Sequence, residues 1–232
     1  MNKHPLICAG ILALLSLPAL GARPMQTDDA GVLERADCEL EGSSLRQLAD
    51  GERSTQSGLQ LGCGIGGKTQ VALAAATAND AGMHHSGLAL LGKHGLWQAA
   101  PGDGPGAALA LSWQIAEART PGGSWHHEGS ELRLIGSQPL DEDVTLHANI
   151  GHAHNVEDRM HSTSWGVALE HAPLSALAGL APMAEVFGDD RDPVWWNLGL
   201  RYSVIAEKLC VDASYGRQAG RSLLTVGFKL AF

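Results

Sequence analysis

Along most of this chain apolar residues recur at every second position, in run after run, and that period of two constrains the fold more than any other feature. The last run shows it most cleanly, with Leu224, Val226, Phe228, Leu230 and Phe232 on one face and Leu223, Thr225, Gly227, Lys229 and Ala231 on the other. A period of two belongs to a strand whose two faces meet different surroundings. A terminus is ordinarily frayed and polar. This one is apolar to its final residue, so something must cover that face.

The same alternation recurs upstream. Val71, Leu73 and Ala75 oppose Gln70, Ala72 and Ala74, and Leu109, Leu111, Trp113 and Ile115 oppose Ala110, Ser112 and Gln114. Trp196, Leu198, Leu200 and Tyr202 oppose Asn197, Gly199 and Arg201. Stretches rich in Gly, Pro, Asp and Asn separate the runs, and only "APLSALAGL" reads as a short helical turn. About twelve strands in one antiparallel meander follow, with nothing that splits the chain into two domains.

The first 22 residues read as a secretory leader, with Lys3 in a short basic region, an apolar run from Leu6 to Leu20 broken by Pro18, and small residues beyond it. The expected division is a signal peptide over 1–22 and one barrel domain over 23–232. The net charge of −9 gives no footprint for nucleic acid. Export places Cys38, Cys63 and Cys210 in an oxidising compartment. Asp50-Gly51 is a two-residue hairpin signal, and a turn there sets Cys38 directly across from Cys63 and Leu40 across from Leu61. The sequence therefore predicts a Cys38–Cys63 disulfide, with Cys210 as the odd thiol.

A meander of half-apolar strands can close as a sandwich, a soluble barrel or a membrane barrel. A soluble barrel of about twelve strands would enclose a lumen too wide for apolar side chains to fill. The second face here is small and polar and carries Glu39, Glu41, Gln60, Glu131, Arg133, His147, Glu170, Arg201, Asp212 and Lys229. That pattern suits a wet lumen inside an apolar belt, with strands long enough to cross a bilayer. The prediction is an all-β, antiparallel, up-and-down transmembrane β-barrel, with a secreted β-sandwich as the competing reading.

The closing "TVGFKLAF" resembles the C-terminal signal of bacterial outer-membrane β-barrel proteins, on Thr225, Gly227, Leu230 and Phe232. The resemblance implies a bacterial outer-membrane location, lipid as a partner, and recognition of this segment by the barrel-assembly machinery. The last quarter of the chain also resembles the outer-membrane transporter family of the MetA phenol-degradation pathway, which implies location and architecture more than a substrate. Aromatic residues make up only 5% of the chain, which predicts thin interfacial girdles.

With both chain ends on the inner side, the loops carrying His84, His85, His126, His127, His152, His154 and His161 face outward. No fixed ligand spacing accompanies these histidines, so neither a metal nor a cofactor is expected. Glu185, Arg201 and Asp212 fall on three consecutive strands with inward parity and are expected to form a charge cluster bracing the lumen wall. No nucleophile motif such as Gly-x-Ser-x-Gly occurs, so an enzyme is not expected. The function that follows is a passive channel for a small-molecule solute. Two alternatives stay open: a closed barrel with a structural or adhesive role, and an outer-membrane lipase-like enzyme. The short loops offer no plug, so gating is expected from lumen side chains alone.

Overall fold

A computed structural model describes residues 25–49, 51–80, 82–99, 106–177 and 179–232. The expected leader and Asp50 lie outside these. Twelve strands run in chain order: β1 (Cys38–Ala49), β2 (Glu52–Gly66), β3 (Thr69–Asp80), β4 (Met83–Gln98), β5 (Ala108–Arg119), β6 (His126–Pro139), β7 (Val144–Asn155), β8 (Met160–His171), β9 (Leu180–Asp189), β10 (Trp195–Ile205), β11 (Leu209–Gln218) and β12 (Arg221–Ala231). Each pairs antiparallel with its sequence neighbours, and β12 returns to β1, so the sheet closes on itself as a transmembrane-type barrel. Among the described residues a single 3-10 turn, Ser175–Leu177, falls in the stretch expected to be helical.

Closure satisfies the backbone of every strand without an edge. The seam is anchored by ten consecutive pairs from Glu39↔Ala231 to Leu48↔Ser222. Both ends of the barrel chain therefore share one rim, termed the terminal rim here. The β1–β2 turn lies at the opposite, far rim, where Gly51 takes the positive φ of 84° that a two-residue hairpin needs.

The apolar face of each strand points outward. Leu59, Leu73, Leu132, Ile150 and Leu198 stand 51–66% exposed around the middle of the barrel. In water such a belt would be a large aggregation surface, whereas in a bilayer it is the solvated one. Trp165, Trp196 and Tyr215 lie toward the far rim, and Trp97, Tyr202 and Phe232 toward the terminal rim, all exposed. Three outward glycines are each roofed by an aromatic ring on the neighbouring strand. An added Cβ would run into Phe228 at Gly42 and Trp113 at Gly92, and would touch Trp165 at Gly188. Glycine there lets the ring lie flat on the sheet, which fixes both register and curvature.

The histidines expected in outer loops are instead on strands. β7 continues through His152 and His154, β8 begins at Met160 before His161, and β4 and β6 already include His84, His85, His126 and His127. Strand pairing depends on backbone groups, so it runs on past the apolar belt where side chains turn polar.

Candidate functional site

Inward positions converge on a polar lumen, and the first surprise is that a piece of chain occupies it. Residues 25–37 do not trail from the barrel. They cross its interior before entering β1, and Met25, Thr27 and Ala30 are buried. The wall holds this segment largely by its backbone. Glu185 accepts hydrogen bonds from the N–H groups of Gln26 (2.8 Å) and Thr27 (2.8 Å), Ser137 Oγ from Ala30 (2.8 Å), and Gln70 Oε1 from Leu33 (2.8 Å). Lys93 Nζ donates to the carbonyls of Asp29 (3.0 Å) and Gly31 (3.2 Å) and pairs with the Asp28 carboxylate (3.3 Å). Buried backbone groups need partners, and β9, β6, β3 and β4 supply them.

Two wall glycines make room. A Cβ at Gly166 would strike Thr27, and one at Gly64 would strike the Glu34 carbonyl. The expectation that no plug exists is therefore corrected. The segment has no period and no loop signature, because its form is dictated by the wall around it.

The predicted charge cluster divides in two. All three residues face inward, as parity requires. Arg201 pairs with Asp212 across β10 and β11, with Nε 3.9 Å from Oδ2. Glu185, however, sits level with Asn197 rather than with Arg201. Four residues along a strand amount to about 13 Å, which separates the two charges. Glu185 accepts instead from Asn197 Nδ2 at 2.9 Å and from the N-terminal segment. The second carboxylate on Arg201 is Glu170 of β8, at 2.7 Å. Glu170 also lies 3.5 Å from His147 Nε2, and His147 Nδ1 is 2.8 Å from Ser137 Oγ. A continuous polar chain thus links Ala30 of the segment through Ser137, His147, Glu170 and Arg201 to Asp212.

On the far-rim side of the segment a cavity of about 260 Å³ opens, floored by Gln26 and by Glu131 and Arg133, which pair at 2.7 Å. Its wall carries Phe187 and Trp195, directly paired across β9 and β10, with ring planes within 4° and centroids 6.1 Å apart. On the terminal-rim side a smaller space of about 70 Å³ is lined by Met25, Glu41, Gln60, Gln70 and Lys93. The sequence reading did not single out Lys93, Asn197, Phe187 or Trp195, although strand parity alone places each of them inward.

The remaining predicted residues fall as follows. Cys38 and Cys63 form the disulfide, with Cα atoms 4.1 Å apart, and Cys210 is free. Gly64 N–H donates to Asp37 O at 2.9 Å, which makes the next pair, Cys38–Cys63, the narrow non-hydrogen-bonded kind that a disulfide can span. Thr225 is buried toward the lumen, Gly227 pairs with Ser43 and Asp212, and Leu230 and Phe232 are exposed on the outer face. His152, His154 and His161 stack on the outer face of β7 and β8, with His154 and His161 centroids 4.5 Å apart. No group of three or more metal-ligating side chains suits an ion among the described residues.

A closed, twelve-stranded antiparallel barrel with an apolar exterior and a polar interior belongs to the outer-membrane β-barrel class of folds. The chain is a member of the family described as Uncharacterised conserved protein UCP029691, whose model matches residues 10–232. In structure it is similar to the KdgM porin, with a TM-score of 0.62 at 8% identity over 83% of this chain and 99% of that one. It is also similar to the NanC porin (TM-score 0.56, 8% identity, 82% of this chain and 98% of that one). A third is the toluene transporter TodX of P. putida (TM-score 0.52, 8% identity, 91% of this chain and 97% of that one). At such identities the likeness is one of fold. Comparison with curated proteins finds no sequence match.

Proposed function

We propose that this protein is a bacterial outer-membrane channel through which small solutes diffuse, with its far rim outward. The observation that carries the reading is the cavity beside Phe187 and Trp195, lined by both polar and apolar side chains and open toward the far rim inside a barrel whose exterior suits only lipid. The structural likeness to two porins and a transporter supports it, as does the resemblance of the last quarter to the MetA-pathway transporters. Under this reading a leader over residues 1–22 exports the chain, and Thr225, Gly227, Leu230 and Phe232 present it to the assembly machinery. Refolded protein in a planar bilayer should carry discrete salt currents, and cells should hold it in the outer-membrane fraction against a salt wash.

One observation favours a second reading, a closed structural barrel. The N-terminal segment is tied to four strands across the lumen, and a barrel that never releases it would brace the membrane without conducting. Absence of current from the intact chain, with current from a form lacking residues 25–34, would decide for that reading.

A further inference from the structure

We propose that the far-rim cavity is a binding site for a neutral saccharide of one or two rings, stacked on Phe187 and Trp195. The inference rests on the channel reading and adds a solute class to it.

The placement of the aromatics comes first. Among the described strands, every other Phe, Tyr and Trp follows the outward parity, whereas Phe187 and Trp195 follow the inward one and line the cavity. Their rings lie parallel within 4°. Across the sheet on its other side Phe187 faces Gly166, over which Thr27 of the segment packs, so the open side of the aromatic pair is the one turned to the cavity. Aligned π surface is thus left open inside a wet lumen, where it gains nothing from lipid. A ring laid flat against it would recover the lost contact.

The polar lining decides what kind of ring. Gln47, Gln56, Asn79 and Ser162 line the same cavity as the aromatic pair. A plain aromatic hydrocarbon would strip water from these groups and return no hydrogen bond. A pyranose has an apolar C–H face for the aromatic pair and a rim of hydroxyls for amides and serines, so it meets both halves of the wall. The guanidinium groups are already matched. Arg133 lies 2.7 Å from Glu131, Arg221 lies 3.5 Å from Asp192, and Arg191 lies 3.8 Å from Asp190. Four carboxylates, of Asp80, Glu131, Asp189 and Asp192, line the cavity beside these three guanidiniums, so no cationic surplus draws in an acid, which favours an uncharged sugar over an acidic one. A volume of about 260 Å³ suits one ring, with a second reaching into the mouth.

The test uses the refolded full chain with maltose as the neutral probe, glucuronic acid as the anionic one and toluene as the aromatic one. Two readouts are taken: block of the salt current, and heat of binding in detergent. Maltose should block the current and release heat. Phe187→Ala and Trp195→Ala should each weaken maltose by roughly two- to tenfold, while Trp195→Phe retains it. Salt current with no response to maltose in either readout would overturn the proposal while leaving the channel standing. Stronger binding of glucuronic acid or toluene than of maltose would overturn it as well. If no current is seen but maltose binds with heat lost in the alanine variants, the channel reading fails and the saccharide site holds.

Discussion

Cys38 and Phe232 exchange two backbone hydrogen bonds, N–H to O at 2.9 Å in each direction, so the first residue of β1 and the last residue of the chain close the barrel together. Cys38 is also bound through sulfur to Cys63 of β2. One residue thus ties the closing seam to the first hairpin at the terminal rim.

The apolar terminus is explained by this arrangement. Phe232 is 66% exposed on the outer face, so it contributes little to packing inside the barrel and is placed for the lipid interface, and the assembly role proposed for it does not depend on that packing. Phe232→Glu should cut the yield of assembled barrel in cells severely, while protein refolded in detergent melts within about 1 kcal/mol of the parent. Gel mobility of unheated against boiled samples measures both quantities. Equal assembly of the variant in cells would argue that the terminal ring is not read.

The disulfide is placed to guard the seam. Under non-reducing conditions peptide mapping should recover Cys38 joined to Cys63, with Cys210 alkylated only as a free thiol. Cys38→Ser with Cys63→Ser should lower stability by about 2–3 kcal/mol, since the bridge closes a loop across 25 residues of sequence. A bridge containing Cys210 would contradict the register from Cys38↔Cys63 to Ala49↔Glu52.

The sequence carries strand parity well and strand register poorly. Every inward residue on β12, and the pairing of β1 with β2, follows from alternation and one turn signal. Glu185 and Arg201 share inward parity but not height, because height depends on the length of the β9–β10 turn, which sets Glu185 across from Asn197 and Arg201 across from Ala181. The N-terminal segment was illegible for a different reason. Its course across the lumen has no local propensity behind it, and partners on separate strands, Glu185, Lys93, Ser137 and Gln70 among them, define it. What parity did offer was the inward pair Phe187 and Trp195, visible once each of their strands is read two by two.

Under the channel reading the segment is expected to set the barrier to flow. Glu185 takes two of its N–H groups, and a buried donor that loses its acceptor costs about 1–3 kcal/mol. Glu185→Ala together with Lys93→Ala should loosen the segment and raise salt conductance, and removal of residues 25–34 should raise it further. Added back as a synthetic peptide, the same residues should reduce the current of the shortened barrel. Identical conductance in all three forms would mean that the segment does not govern passage.

Arg201 is the cation of the wall below the segment, 2.7 Å from Glu170 and 3.9 Å from Asp212. The Asp212 side chain is fully buried from solvent and Arg201 only 17% exposed, so removal of the guanidinium leaves two carboxylates facing one another with little water to screen them. Arg201→Ala should cost about 3 kcal/mol of stability, in the range seen when one partner of a buried pair is lost. It should also turn the local field negative, so that the reversal potential in a salt gradient moves toward cations. Arg201→Lys keeps the charge without the fork and should restore selectivity better than stability. The two readouts separate structure from transport. A variant that melts early but keeps the parent's reversal potential would make this cluster a brace alone, with the ions passing on the other side of the lumen.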